Sequence, residues 1–175
     1  MNNGMRGKKV METVHKVPRF LMNLHNQGMH NSAEFLLHEL SLPHCFNLLK
    51  SAYFIDNPDF NHLKGVAGFS HDEQFVSANH WDQPDLFSKH MGSALFNQKV
   101  RGIDLPSIRT VSNEKEMLCQ LAKDLGVHKP SFKKMPVKHD NVGIFIFEPC
   151  DHAEHAALDQ NMEESLYLLG FTPVI

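Results

Sequence analysis

The fold is decided by the stretch Val142-Gly-Ile-Phe-Ile-Phe147, a near-continuous apolar run with the length of a β-strand. A strand that is apolar on both faces is typical of the middle of a sheet that is covered on both sides. A segment with helical periodicity over 151–169 follows it, Gly170 ends that segment, and Phe171–Ile175 can return as a strand. The pattern predicts a C-terminal β-α-β unit, whose crossover is right-handed if the two strands are parallel.

Upstream of this unit, the sequence predicts helices and short strands. Apolar spacing and capping residues predict helices near 18–27, 31–40, 82–95 and 113–125. Segments rich in aromatic and β-branched residues predict strands between Cys45 and Ser77. The segment 128–139 carries two prolines and four lysines, which predicts an exposed basic loop. We therefore predict an α+β fold in which N-terminal helices pack on a mixed sheet, with the strand near 142–147 at its centre.

Size and composition predict a single domain. A chain of 175 residues with 42% hydrophobic residues can bury a core without a metal or a disulfide. Residues 1–9 mix basic residues with glycine and asparagine and predict a flexible arm, which leaves 10–175 as one α+β domain. No stretch approaches the roughly 18 apolar residues of a membrane span, and no apolar signal core follows the N-terminus. We expect a soluble cytoplasmic protein with no membrane partner.

Cysteine usage also favours a reducing compartment. The three cysteines, Cys45, Cys119 and Cys150, are odd in number, widely spaced and without a C-x-x-C pair. This spacing argues against a disulfide framework and against a zinc ribbon.

Charges are segregated along the chain. All 17 Lys and Arg precede residue 140, whereas seven of the 20 Asp and Glu follow residue 139. An acidic C-terminal helix and a basic loop could serve as complementary docking surfaces, including between the two copies of a homodimer. The 13 histidines predict acid-sensitive solubility or stability, because imidazoles ionise at about pH 6.5.

The most informative chemistry lies where the central strand meets the following helix. His152, His155 and Asp159 share one flank of the helix 151–169, and Glu148 lies just past the strand. Imidazoles and carboxylates suit a divalent cation such as zinc, manganese or ferrous iron. The pattern predicts a small-molecule site at the C-terminal end of strand 142–147, with a divalent metal held by these side chains. Helix capping and hydrated surface positions account for the same residues without a ligand.

Cys150 supports a competing hypothesis. It precedes the predicted helix next to His152, and a helix N-terminus lowers the pKa of a thiol. A thiolate there could act as a nucleophile or a redox sensor, and Glu148 is the second candidate catalytic group. The sequence identifies no partner base, and cysteine is also a common small apolar residue of protein cores.

Other polar motifs are less specific. His71-Asp72-Glu73 and His80-Trp81-Asp82 place imidazoles next to carboxylates in loops. Convergence of His71, His80 or His90 with the histidines of helix 151–169 would favour an enzyme. Glu34 and His38, four residues apart on a helix, predict a surface ion pair.

Nucleic acid is not the expected partner. Four lysines of the segment 128–139 surround Phe132 and could contact phosphates and a base. However, the sequence pI is near 6.5 and the chain carries no recognised nucleic-acid signature.

Two function hypotheses follow from the sequence. The first is a small-molecule site at the end of strand 142–147, with or without a divalent metal, which leaves open whether the chain is an enzyme. The second is a non-catalytic regulatory or protein-interaction domain, which a homodimer would also fit. Metal analysis of the purified protein distinguishes them.

Overall fold

The computed structural model of the chain describes residues 31–43, 45–75, 83–150, 162 and 165–171. The predicted arm 1–9, the predicted helix near 18–27 and most of the predicted helix 151–169 lie outside the described residues. The helices are α1 (Ser32–Ser41), α2 (Pro84–Ser93), α3 (Leu95–Arg101) and α4 (Glu114–Leu125). The strands are β1 (Leu48–Asn57), β2 (His62–Ser70), β3 (Asp104–Leu105), β4 (Ser131–Pro136) and β5 (Val142–Pro149). Short 3-10 turns occupy His71–Glu73, Ile108–Thr110 and Leu169–Phe171.

The five described strands form one sheet in the order β3-β2-β1-β5-β4. The predicted α+β class is confirmed, and β5 is an interior strand, as its apolar run predicts. Every described pair of neighbouring strands is antiparallel. The described sheet is therefore antiparallel, and the prediction of a mixed sheet is wrong for the described strands.

The predicted C-terminal β-α-β unit is described only in part. Val142–Pro149 forms β5, and Met162, Ser165 and Leu166 are helical. The chain then enters the 3-10 turn Leu169–Phe171, so Phe171 does not begin a strand. Residues 172–175 lie outside the described residues.

The segment 128–139 is not wholly the exposed loop that its prolines and lysines predict. Ser131–Pro136 forms β4 and pairs with β5 at one edge of the described sheet. Phe132 packs on the side of α4, and Met135 is buried on the other side. Lysine and proline protect edge strands from pairing with other chains, so the same composition also fits an edge strand.

Side chains alternate between two cores on opposite faces of the sheet. The first core contains side chains of β1 and β5 that face α1, Met162, Leu166 and Leu169, namely Tyr53, Ile55, Phe145 and Phe147. The second contains those that face α3 and α4, namely Ala52, Phe54, Ile144 and Ile146. The sheet is therefore covered on both faces, which explains why β5 is apolar on both. Each large apolar side chain buried this way contributes about 1.5–3 kcal/mol.

Helix α3 lies along the edge of β2 that faces away from β1, where the short β3 is the one described strand partner. The buried Gly68 N–H donates to Asn97 Oδ1 at 2.8 Å, and the Gly65 N–H donates to the Ile103 carbonyl at 3.1 Å. A Cβ at Gly65 would overlap the Val100 carbonyl oxygen. The close approach of α3 therefore requires glycine, and it covers backbone groups that an edge strand would otherwise expose.

The ends of α4 follow the local signals of the sequence. The Asn113 side chain accepts the Glu116 N–H at 3.2 Å, which satisfies one free amide of the first turn. Gly126 ends the helix in the left-handed conformation, with φ of 74°. The helix predicted over 113–125 is confirmed.

The described helices are short. The longest of them, α4, has 12 residues, whereas a membrane-spanning helix needs about 20. None in the described ranges combines the length and the apolar character that crossing a bilayer requires.

Candidate functional site

The carboxyl ends of β2 and β5 lie at the same end of the sheet, because β1 pairs antiparallel with both. Lys50 of β1 pairs with Ser70 of β2 on one side and with Glu148 of β5 on the other. We call this row of three residues the sheet end. Ser70 and Glu148 are two strand spacings apart, which is about 10 Å. The segments that follow β2 and β5 therefore start close together.

Glu148 is buried at the sheet end, with 6% of its surface exposed. Its Oε2 accepts the main-chain N–H of His128 at 3.0 Å. His128 lies between α4 and β4, so the carboxylate fixes this connection. A carboxylate has several acceptor sites, and the contact with His128 leaves further capacity for a ligand.

Lys50 is a residue of the sheet end that the sequence reasoning missed. Its Nζ donates to the Gly126 carbonyl at 2.7 Å and lies 5.7 Å from the centroid of the Phe96 ring. The signal in the sequence was the alternation of Lys50 with Ala52 and Phe54, which places a lysine on an apolar face. The ammonium lies at the C-terminus of α4, where the helix dipole favours a cation.

Cys150 directly follows β5 and is partly exposed. Its N–H donates to the Asn47 carbonyl at 2.9 Å, which joins the end of β5 to the turn before β1. The thiol therefore belongs to the same end of the sheet as Glu148. His152, its neighbour in the nucleophile hypothesis, lies outside the described residues, and that hypothesis stays a prediction.

The segment after β2 brings two of the predicted histidines to this end. His71 begins a 3-10 turn directly after Ser70. In that turn, Glu73 Oε2 accepts the Phe96 N–H at 2.9 Å, and the Glu73 carbonyl accepts a hydrogen bond from His90 Nε2 at 2.6 Å. His80 and Trp81 lie outside the described residues.

Only one of the four predicted metal ligands is described. Glu148 lies at the sheet end, whereas His152, His155 and Asp159 fall outside the described residues. Across the described ranges, no three His, Cys, Asp or Glu side chains are grouped so that they could hold a metal ion. The metal prediction therefore rests on the sequence pattern.

The predicted surface ion pair between Glu34 and His38 is wrong. All ten residues of α1 are buried, including Glu34 at 3% and His38 at 1% exposure. Glu34 Oε1 instead accepts a hydrogen bond from Arg101 at 2.9 Å. Burial raises the pKa of Glu34, and its backbone hydrogen bond and Arg101 oppose this effect. The polar side of α1 is covered by tertiary contacts that helical spacing does not reveal.

Another buried carboxylate lies at the opposite end of β1. Asp56 is fully buried, and its two oxygens accept hydrogen bonds from the Ser107 hydroxyl and the Ile108 N–H, each at 3.1 Å. Asp56 thereby holds the segment that follows β3. It resembles Glu148 in burial and in its contact with a loop amide, but it lies away from the candidate site.

The sheet end combines a cation, a carboxylate and a hydroxyl, with a thiol and an imidazole in the adjoining segments. Such a set can donate hydrogen bonds to a polar molecule and accept them from it. Comparison of the chain with models of protein families, with curated proteins and with solved structures gave no match.

Proposed function

We propose that the chain binds a small polar molecule at the sheet end. The supporting observation is that β2 and β5 terminate on either side of Lys50, so that Ser70 and Glu148 flank its side chain. Segments that leave neighbouring parts of one sheet end start close together, and binding residues are commonly found in such loops. Here the two segments begin at His71 and at Cys150, both at this end of the sheet.

The charges of the sheet end favour a ligand that carries both signs. The Lys50 ammonium has three donors, of which the Gly126 carbonyl uses one. Next to Lys50 in the sheet end, the Glu148 carboxylate can accept further hydrogen bonds. Because Ser70 and Glu148 are only 7% and 6% exposed, a ligand would meet them at the rim of the sheet. A small molecule with an anionic group and a hydrogen-bond donor fits this arrangement.

We also propose, more specifically, that the site holds a divalent cation. His152, His155 and Asp159 would supply its ligands together with Glu148, and zinc, manganese and ferrous iron suit such a set. The positive charge of Lys50 beside Glu148 opposes a cation. Most of the binding energy would therefore have to come from the two histidines.

Binding of a divalent metal is tested on protein purified without a histidine tag. Zinc, manganese and ferrous iron are titrated separately into the wild-type protein and into His152→Ala, and heats of binding are recorded. We expect one site per chain for one of these ions and its loss in His152→Ala. If none of the three ions binds, the metal proposal is wrong, and binding of a polar small molecule is then tested separately.

The alternative is a non-catalytic regulatory or protein-interaction domain. It is favoured by the internal hydrogen bonds of Glu148 and Lys50, since both side chains already brace the end of α4. The lysine-bearing strand β4 at the sheet edge would then be the docking surface, either for an acidic partner or for a second copy. Sedimentation of the ligand-free protein would show a dimer if the partner is a second copy.

A further inference from the structure

The segment that follows β2 is held by two histidines with opposite hydrogen-bonding roles. The Phe75 N–H donates to His38 Nε2 at 3.1 Å. Two residues earlier, the Glu73 carbonyl accepts a hydrogen bond from His90 Nε2 at 2.6 Å. We call the segment 71–75 with these two contacts the histidine clamp. It joins the end of β2 to α1 through His38 and to α2 through His90.

His38 lies in an aromatic environment. It is 1% exposed, and its ring meets Phe69 and Phe87 edge to face at centroid distances of 5.4 and 5.3 Å. Phe75 in turn packs against Phe87 and His90. Release of Phe75 would therefore uncover apolar surface.

A carboxylate of the same helix lies beside this imidazole. From α1, Glu39 Oε1 lies 3.7 Å from His38 Nδ1. The Glu34 carboxylate is bonded to Arg101, and the Glu73 carboxylate is bonded to the Phe96 N–H. From α2, the His90 ring packs against the Phe75 ring. β2 presents the Phe69 ring to the imidazole.

The hydrogen bond from Phe75 fixes the protonation state of His38. An imidazole nitrogen that accepts an N–H carries no proton, so the proton of the neutral ring lies on Nδ1, towards Glu39. A second proton would occupy Nε2 and oppose the Phe75 N–H, so that two donors would face each other. His90 behaves differently, because Nε2–H donates to the Glu73 carbonyl in both the neutral and the charged ring.

We propose that the histidine clamp is an acid-sensitive switch in which protonation of His38 releases Phe75. The charged ring loses the hydrogen bond from the Phe75 N–H and is held by the attraction of the Glu39 carboxylate. Acid therefore releases the His38 side of the clamp, whereas the hydrogen bond from His90 to the Glu73 carbonyl remains. Burial opposes the charged ring, whereas the Glu39 carboxylate, 3.7 Å from Nδ1, favours it. Because these two effects oppose each other and an ordinary imidazole ionises at about pH 6.5, mild acid is expected to supply the proton. The aromatic surface around Phe69 and Phe87 becomes accessible in the released state.

The test is amide hydrogen exchange in the whole protein, with each rate corrected for the intrinsic effect of pH. The protection factor of the Phe75 amide is expected to fall about tenfold or more between about pH 7.5 and about pH 5.5. The Gly65 amide, which donates to the Ile103 carbonyl and meets no titratable group there, is the internal control and should keep its protection. Equal protection of Phe75 at both pH values overturns the proposal.

Two variants assign the effect to His38. His38→Gln keeps an oxygen that can accept the Phe75 N–H but does not ionise, so protection should be the same at both pH values. His90→Gln keeps a donor for the Glu73 carbonyl, and the fall in protection should persist. A fall that persists in His38→Gln contradicts the switch.

A measurement on the wild-type protein covers the case in which a variant does not fold. Nitrogen-15 spectra of the histidine rings show which nitrogen carries the proton. At about pH 7.5, His38 should carry its proton on Nδ1 and leave Nε2 unprotonated. A proton on Nε2 at that pH overturns the proposal, because the hydrogen bond from Phe75 would then be absent.

Discussion

Lys50 Nζ donates to the Gly126 carbonyl at 2.7 Å, which joins the central strand β1 to the C-terminus of α4. The carbonyls at the end of a helix lack intrahelical partners, and a cation there also meets the negative end of the helix dipole. Glu148, the neighbour of Lys50 across the sheet, accepts the His128 N–H from the same connection. One end of the sheet thus both braces α4 and carries the groups that we assign to ligand binding.

Lys50→Met should destabilise the protein. Methionine keeps most of the apolar stem beside Phe96 but leaves the Gly126 carbonyl without its charged donor. A hydrogen bond to a charged group contributes about 1.5–3 kcal/mol, and we expect a loss of that order in urea unfolding. Lys89→Met, at an exposed position of α2, is the control and should change the unfolding free energy by less than about 0.5 kcal/mol. Equal behaviour of the two variants would contradict the bracing role of Lys50.

Tyr53→Phe should leave stability unchanged or increase it. The Tyr53 side chain is fully buried and its hydroxyl has no hydrogen-bond partner among the described residues. Burial without a partner also raises the pKa of the Tyr53 hydroxyl far above its ordinary value. A buried, unpaired polar group costs about 1–3 kcal/mol, and phenylalanine removes that cost. Tyr167→Phe, at a position that is 44% exposed, is the control, and a large loss of stability in Tyr53→Phe alone would show that the hydroxyl is bonded.

Gly65→Ala should be severely destabilising, whereas Gly92→Ala should be neutral or stabilising. A Cβ at Gly65 meets the backbone of α3 at Val100, which has no flexible end that could move aside. A Cβ at Gly92 in α2 meets no atom within 4 Å, and alanine favours a helix by up to about 1 kcal/mol over glycine. Thermal unfolding of both variants checks the packing of α3 on β2. Similar melting temperatures for the two would contradict it.

Glu34→Gln should change how stability depends on pH. Burial raises the pKa of Glu34 above its ordinary value of 4.5, so the folded state binds this proton more readily than the unfolded state. Its contribution to stability is complete below the unfolded pKa and is lost as pH rises through the folded pKa. Relative to Glu34→Gln, the wild-type protein should therefore gain stability as pH falls from neutral towards that ordinary value. Urea midpoints measured at both ends of this range test the sign, and a constant difference between the two proteins would refute it.

The sequence predicts those features that depend on neighbouring residues. Asn113 and Gly126 bound α4 because capping is local, and the apolar run of β5 reports its burial on both faces directly. The sequence did not predict features that depend on distant residues. Lys50 meets Gly126, which lies 76 positions away, and Glu34 meets Arg101, which lies 67 positions away.

The prediction of an exposed loop where the structure has β4 was wrong for a related reason. Lysine and proline are common both in exposed loops and on edge strands, and pairing with β5 decides between them. The candidate site was predicted in part. Glu148 and Cys150 were chosen from their place after the apolar run, but the antiparallel β1, which brings the end of β2 beside them, could not be deduced from composition.

The most direct test of ligand binding at the sheet end is native mass spectrometry of the protein purified without a tag. The wild-type chain should carry an added mass, either a metal or a small molecule, that is absent from Glu148→Gln. Asp56→Asn, which alters a buried carboxylate at the other end of β1, should lose stability but retain the added mass. A wild-type spectrum with the mass of the bare 20.0 kDa chain, or an added mass that Glu148→Gln also retains, would contradict the account.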